Sequence, residues 1–500
     1  MDDSGTNIVR GELSLSMRIT QLQIDGFRSL VGIDTGLMEN VLVLVGPNMA
    51  GKSNLIRFLE SLSGCLQDGT ADRFSGDRFD KMKPKLAFSV RFDLRPEIDL
   101  ALDSVSAPKE LRKGPFMREL EIRITRDFSD TPGTIQYDEE WYVSSSDDSL
   151  LPLVACRRKS NPRQVEVSLN PIDSELLKLL VGPQRTQTVR SGNLLNEFPL
   201  MHASPWASKA IGDVPILARL DALLGGYAGR WSGIHPIRPN IADSTEVRGV
   251  RRVDESGSNV VQFMDTLRRD NISAYHTVLH RLGQFLSTLD AVEISLVEGS
   301  NNLHLTYTEK HLSSTFRPSQ MSDGARHLLR LLAKLFEDSS SSRLLRFEEI
   351  ENHLHPGAQL ALVRLLKDIV TLTEGKTQFV VTSHSEVVGA AAELGWIRIL
   401  ERKEGKTVMK QVSKDTFPEV LRALDLWPGI FYEADVIVYV EGEFDEDIYP
   451  ILYDNGLAGW RREVQRTLRI PKLRIRFERI DGSNNVKTLT NLALWRLARV

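Results

Sequence analysis

A run of apolar residues from Val41 to Val45 ends abruptly at Gly46-Pro47, the pattern of a strand buried on both faces of a parallel sheet. From Asn54 onward Leu55, Ile56, Phe58, Leu59 and Leu62 recur at helical spacing, so the loop between strand and helix lies at a helix N-terminus. Upstream, residues 1–16 are polar and lack a period, while Met17–Ile24 alternates imperfectly and predicts an edge strand. Over residues 65–320 the pattern predicts alternating strands at Ala87–Leu94, Leu120–Thr125 and Leu303–Thr308. Helical stretches and joints rich in Pro, Gly and Ser near 145–160, 181–205 and 232–258 separate them. A helix is predicted over Ala325–Glu337, with strands at Leu344–Glu348 and Thr377–Ser383. Residues 401–433 are charged and mixed and read as a linker, after which Ala434–Val440 opens a second αβ unit.

Composition narrows the class. A chain of 500 residues has room for about three domains, or two with large insertions, and 41% hydrophobic with 26% charged residues argues for a folded globular protein rather than a disordered one. A net charge of −4 is unlike that of a small basic nucleic-acid binder, so local charge patterning has to decide that question. Cys65 and Cys156 lie far apart and form no C-x-x-C, which argues against a zinc site or a disulfide framework. The N-terminus, Met1-Asp2-Asp3-Ser4, lacks a basic flank and an apolar core, and no apolar stretch reaches bilayer length. A cytoplasmic address without membrane partners is the expectation.

The loop Gly46-Pro47-Asn48-Met49-Ala50-Gly51-Lys52-Ser53 matches G-x-x-x-x-G-K-[ST] in the strand–loop–helix setting that pattern needs. Its glycines let backbone N–H groups, including those at Ala50 and Asn54, converge on phosphate oxygens. Lys52 reaches the β/γ-phosphates of ATP, and the Ser53 hydroxyl ligates Mg²⁺. Leu344–Glu351 reads as an apolar strand delivering carboxylates to its C-terminal end, where ligands bind in open α/β sheets. There Glu348 would hold Mg²⁺ through water, and Glu349 would orient or deprotonate the attacking water. An acidic cluster after a strand is by itself more often a solvated helix start, and the phosphate loop reverses that weighting. Arg346, a cation within the buried strand, needs a partner. Phe379–Ser385 is a further apolar strand with a polar tip, where His384 could donate to the γ-phosphate. Ser322 precedes a helix with an apolar stripe of Leu328, Leu331, Leu332, Leu335 and Phe336, so it is at least an N-cap.

Taken in order, the phosphate loop, a long insertion, Ser322-Asp323-Gly324, Phe347–Pro356 with its Glu-Asn-His-Leu-His-Pro run, and Thr382–Ser385 resemble the ATPases of the overcoming-lysogenization-defect (OLD) nucleases and their RecF and SMC relatives. Ile24–Leu30 and Asp254–Asn259 look similar to that group as well, so the resemblance spans most of residues 17–400. It implies an α/β fold: an ABC-type P-loop ATPase with an insertion over roughly 95–300. It also implies that Ser322 and Gly324 reach across a head-to-head homodimer to the other protomer's γ-phosphate. Sustained heptads and paired cysteines are missing from the sequence, which disfavours the coiled-coil SMC and break-repair branches.

After the ATPase, Glu441-Gly442-Glu443-Phe444-Asp445 resembles the first motif of a Toprim domain over 434–500. The resemblance gives Glu441 and Asp445 a divalent metal, Mg²⁺ or Mn²⁺, for phosphodiester cleavage. Downstream, Lys472, Arg474 and Arg476 alternate with Leu473, Ile475 and Phe477, a strand pattern that presents its basic face to a phosphate backbone. A second acidic pair of D-x-D type, which a Toprim nuclease needs, does not follow before Val500. The domain is therefore cut short, completed elsewhere or defective. The expectation is an OLD-like ATPase acting on double-stranded DNA in antiphage defence or DNA metabolism, with an accessory defence protein as a further partner. The alternative is a RecF-like DNA clamp or sensor without nuclease activity. The basic strand disfavours a third reading, a transporter subunit.

Overall fold

The computed structural model describes residues 17–68, 74, 85–94, 119–127, 137–144, 150–158, 164–169, 186–190, 215–234, 241–312, 314–337, 341–412, 436–440 and 475–479. At the centre is a sheet of six strands in the order Trp231–Ile234, Arg343–Phe347, Thr377–Ser383, Val41–Val45, Ile397–Lys403 and Lys406–Gln411. The first five run parallel and the last turns back as a hairpin. Thr377–Ser383 thus lies between the phosphate-loop strand and the acidic strand, pairing Val381 with both Val43 and Phe347. Three chain segments far apart in sequence thus bring their C-terminal ends side by side at one end of the sheet.

Alternation along each strand divides two cores. Val41, Val43, Val45, Leu345, Phe347, Phe379 and Val381 face one hydrophobic cluster, and Leu42, Leu44, Leu344, Val380 and Leu400 face the other. Fully burying such a side chain stabilises by about 1.5–3 kcal/mol, which explains why the strands read as unbroken apolar runs. The first cluster is closed by the helices Val260–Asp270, Ile272–Phe285, Asp323–Leu335 and Pro356–Leu372 and by a small sheet built on Leu289–Leu296 and Asn302–Glu309. The second is closed by the helices Lys52–Asp68 and Pro215–Ala228 and by an eight-stranded antiparallel sheet.

That antiparallel sheet runs Ile33–Asp34, Arg18–Asp25, Lys85–Asp93, Glu119–Asp127, Tyr137–Ser144, Leu150–Arg158, Gln164–Leu169 and Thr186–Arg190. The strand expected at an edge near Met17–Ile24 is in second place, because the chain turns at Gly26–Leu30 and lays Ile33–Asp34 against its outer side. The expected strands at 87–94, 120–125 and 303–308 are found as Lys85–Asp93, Glu119–Asp127 and Asn302–Glu309. Three boundaries move. The acidic strand stops at Phe347, so Glu348 opens the following turn, and the helix expected from Ala325 to Glu337 spans Asp323–Leu335. The stretch read as a linker from 401 instead continues the central sheet through Gln411, because Lys406–Gln411 pairs with Ile397–Lys403 and covers its edge. Val436–Val440 forms the expected strand and pairs in parallel with Ile475–Arg479.

Candidate functional site

Two glycines of the phosphate loop are required by close approach. A Cβ on Gly46 (φ 151°) would stand 2.1 Å from the Leu400 carbonyl, and one on Gly51 (φ 106°) 2.1 Å from Thr407 Oγ1. The neighbouring hairpin presses on the loop from behind. Thr407 donates to the Ala50 carbonyl at 2.9 Å and meets Ser29 Oγ at 2.7 Å, and Ser29 in turn accepts from Asn54 Nδ2 at 2.7 Å. Arg28, in a left-handed backbone conformation (φ 46°), donates to Asn54 Oδ1 at 3.3 Å. Its neighbour Phe27 is buried edge-on against Phe58 of the loop helix, with ring centroids 5.4 Å apart. Apolar packing thus holds the Gly26–Leu30 turn beside the loop.

Lys52 is buried and donates from Nζ to the carbonyls of Gly46 at 2.8 Å and Pro47 at 2.9 Å. Its third contact is His384 Nδ1 at 3.3 Å. The other ring nitrogen, Nε2, faces Glu349 Oε1 at 3.8 Å. Glu349 has φ 48°. Its N–H donates to Thr382 Oγ1 at 2.9 Å, and its Oε2 accepts from Asn352 Nδ2 at 2.8 Å. The backbone N–H of His384 donates to Glu351 Oε1 at 2.6 Å. Lys52, His384, Glu349 and Glu351 therefore form one cluster at the C-terminal ends of the parallel strands, assembled because the Thr377–Ser383 strand lies between the other two.

The charges in this cluster are tuned by burial and by one another. Burial pushes the Lys52 ammonium down to about 8, against the pull of the Glu351 and Glu349 carboxylates. Burial and then the Lys52 charge hold the His384 imidazole below its ordinary range, against the pull of the Glu349 carboxylate and the Gly46 carbonyl. Burial raises the Glu351 carboxyl, opposed by the hydrogen bond from His384. An added anion beside Lys52 would relieve its desolvation, which is what a triphosphate supplies.

Ser53 is exposed at the start of its helix, and Glu348 is half-buried just after the acidic strand. Among the described residues no group of three or more His, Cys, Asp or Glu side chains is placed to hold a metal. Mg²⁺ bound with a nucleotide needs only one or two protein ligands, with phosphates and water completing it, and the Ser53 hydroxyl and the Glu348 carboxylate are oxygen donors of the kind that ion takes. Arg346, at the acidic strand, has its partners in Glu255 at 3.4 Å and Glu60 at 3.7 Å. Ser322 is exposed, and its Oγ caps its helix by accepting from Ala325 N–H at 3.2 Å. Gly324 lies against the acidic turn, where a Cβ would come within 2.4 Å of the His353 carbonyl.

Residues 41–389, from the phosphate-loop strand to just past His384, match the family model described as "AAA domain, putative AbiEii toxin, Type IV TA system". The chain belongs to this AAA-domain family and is an ATPase of that kind. No curated protein matches the chain. Among solved structures it is similar to an Smc head bound to the C-winged helix domain of ScpA, at 14% identity over 79% of this chain and 98% of that one, TM-score 0.40. It is similar also to the SMC head domain from Thermotoga maritima, at 13% identity over 79% and 99% of the two chains, TM-score 0.36. An Smc head with an extended coiled coil, bound to the C-terminal domain of ScpA derived from Pyrococcus furiosus, matches at 12% identity over 82% and 100%, TM-score 0.37.

In this AAA-domain chain the structure brings together the phosphate loop, Glu349 and His384, all singled out from sequence. Glu441, Asp445, Lys472 and Arg474 lie outside the described residues, and of Arg476 only the backbone, within Ile475–Arg479, is described. Sequence reasoning assigned no role to Glu351, Thr382 or Thr407. For Glu351 a signal existed, a third carboxylate two positions after Glu349 in the same run. Thr382 and Thr407 carry none, since a threonine in a strand is ordinary.

Proposed function

We propose that the chain is an OLD-like protein in which ABC-type ATPase heads pair as a homodimer around ATP and Mg²⁺. These heads gate a C-terminal Toprim unit that nicks or cleaves double-stranded DNA. In this reading residues 17–400, with their hairpin extension, are the head and 434–500 the Toprim unit. Gly46, Pro47, Asn48, Ala50, Gly51, Lys52 and Asn54 surround the phosphates, and Ser53 and Glu348 hold Mg²⁺. Glu349 activates water, His384 reads the γ-phosphate, and Ser322 with Gly324 engages the second copy's nucleotide. Glu441 and Asp445 hold Mg²⁺ or Mn²⁺, while Lys472, Arg474 and Arg476 contact the DNA backbone. The family's description as a putative toxin of a toxin–antitoxin system is compatible with a defensive role, for which an accessory protein is a natural partner.

The observation that carries the ATPase part is the contact chain from Lys52 through His384 toward Glu349, with steps of 3.3 and 3.8 Å. In this reading the cation that would bind phosphate and the carboxylate that would activate water are linked through one imidazole. Lys52→Ala is expected to abolish ATP binding. Glu349→Gln is expected to keep binding but slow hydrolysis by about 100-fold or more, as befits loss of a general base. Both are read by phosphate release and equilibrium binding. The nuclease part is tested on supercoiled plasmid with Mg²⁺ or Mn²⁺, where Glu441→Ala should lose nicking and keep ATP binding. Normal cleavage by that variant refutes the Toprim role, and an intact plasmid beside an active ATPase favours the RecF-like clamp.

A further inference from the structure

The helix Asp323–Leu335 grips the acidic turn at two points. One is the contact between Gly324 and the His353 carbonyl. The other is His327, 3% exposed, whose Nε2 lies 3.2 Å from the carbonyl of Ile350, the residue between Glu349 and Glu351. Arg330 Nη2 stands 3.1 Å from His327 Nδ1. A guanidinium has no acceptor, so Arg330 donates to Nδ1, the imidazole proton is on Nε2, and His327 donates to Ile350. Arg330 is itself held by donating from Nη1 to the Ser256 carbonyl at 3.2 Å. Burial, reinforced by the Arg330 charge, pushes the imidazole down to about 4, which keeps this neutral tautomer in place near neutral pH.

The turn that His327 holds is conformationally unusual. Glu349 and His353 both occupy the left-handed region, at φ 48° and 61°, where residues other than glycine persist only if their surroundings impose it. Around them Ile350 N–H donates to Thr382 O at 3.4 Å, Asn352 N–H to Glu349 O at 2.9 Å and Leu354 N–H to Glu351 O at 2.9 Å. At the other end of the same helix-to-turn connection, Ser322 is exposed to whatever approaches the helix N-terminus.

We propose that His327 is a positioning residue that couples the Ser322–Gly324 helix start to the carboxylates of Glu349 and Glu351. Contact made at Ser322–Gly324 is thereby felt at the hydrolytic site of the same protomer. The inference rests on the reading that Ser322–Gly324 engages a second copy's nucleotide. In such a dimer, each protomer's helix touches one nucleotide while His327 adjusts the carboxylate acting on the other, so the two sites hydrolyse cooperatively.

The test compares the full-length wild type with His327→Gln, His327→Leu and His327→Asn. A glutamine amide can accept from Arg330 and donate to Ile350 in place of the imidazole, asparagine is too short to reach both, and leucine does neither. In the Leu and Asn variants kcat for ATP is expected to fall about tenfold or more, the order seen when a catalytic group is misplaced. Their KM and ATP affinity should stay within about twofold of wild type, and the Hill coefficient for ATP should drop toward 1. In nucleotide-free protein, amide hydrogen exchange across 348–354 should rise in those variants while exchange across 323–335 holds. His327→Gln should restore each property.

Wild-type kcat and cooperativity in His327→Leu overturn the proposal. So does a parallel loss in the Gln and Leu variants, or a KM and binding defect that tracks kcat, since that is what a residue serving the core alone would do. Should the Leu variant fail to fold, the Gln and Asn pair decides, and failure of all three to fold also overturns it. A wild-type chain that does not hydrolyse ATP removes the underlying reading, and the inference falls with it.

Discussion

Replacing Thr407 with valine tests whether the C-terminal hairpin braces the phosphate loop. The side chain is 1% exposed and nearly isosteric with valine, so the change removes a hydroxyl without opening a cavity. Two hydrogen bonds disappear, the donation to Ala50 O at 2.9 Å and the contact with Ser29 Oγ at 2.7 Å. Because the single Thr407 proton goes to Ala50, Ser29 is the donor in their contact; it keeps its donor from Asn54 but loses its acceptor, and together with the Ala50 carbonyl's loss of a buried donor this costs about 1–3 kcal/mol. A net loss of about 2 kcal/mol shifts the folded-to-unfolded ratio by about 30-fold and lowers Tm by roughly 2 °C in a protein of this size. Thr407→Ser keeps the hydroxyl and loses only a methyl, at about 0.8 kcal/mol. Urea unfolding of the three proteins measures the order. ATP affinity should follow it, because the loop's main chain is what the hydroxyl holds. If Thr407→Val unfolds at the same urea concentration as Thr407→Ser or above it, the bracing argument is wrong.

Two further predictions follow from titrations. Burial lowers the Lys52 ammonium from 10.5 to about 8 in the free protein, whereas an adjacent triphosphate stabilises the cation and raises it. Binding therefore takes up a proton above pH 8, and the Kd for ATP should rise by up to about tenfold per pH unit beyond that point. A Kd that is flat from pH 7.5 to 9.5 would contradict this. His327 drops from 6.5 to about 4 on folding, so between those values the unfolded chain binds the extra proton, and stability is lost as pH falls through the window. The effect is roughly 3 kcal/mol and is missing in His327→Gln. The stability difference between variant and wild type, measured by urea unfolding at pH 7 and pH 4, should change by that amount in the variant's favour.

The elements of this chain were legible where their causes are local. The run Val41–Val45 followed by Gly46, Gly51, Lys52 and Ser53 needs only neighbouring residues to specify a buried strand, a tight loop and a helix start. Thr377–Ser383 was delimited correctly for the same reason. Boundaries slipped where capping competes with periodicity. The Ser322 hydroxyl starts its helix at Asp323, ahead of the first apolar position. Charged residues at 401–411 looked like a linker because an edge hairpin exposes one side to water, and polar positions there cost little.

By itself, then, the order of residues determined a phosphate-loop protein with carboxylates and a histidine at strand ends, because backbone conformation and apolar period are short-range properties. Tertiary structure alone decided that His384 bridges Lys52 and Glu349, that Thr407 supports Ala50, that His327 reaches Ile350, and that Arg346 finds Glu255 and Glu60. Each of these contacts depends on which strands become neighbours. That choice is made by burying the two cores of the whole domain, a sum over distant residues that no local segment contains.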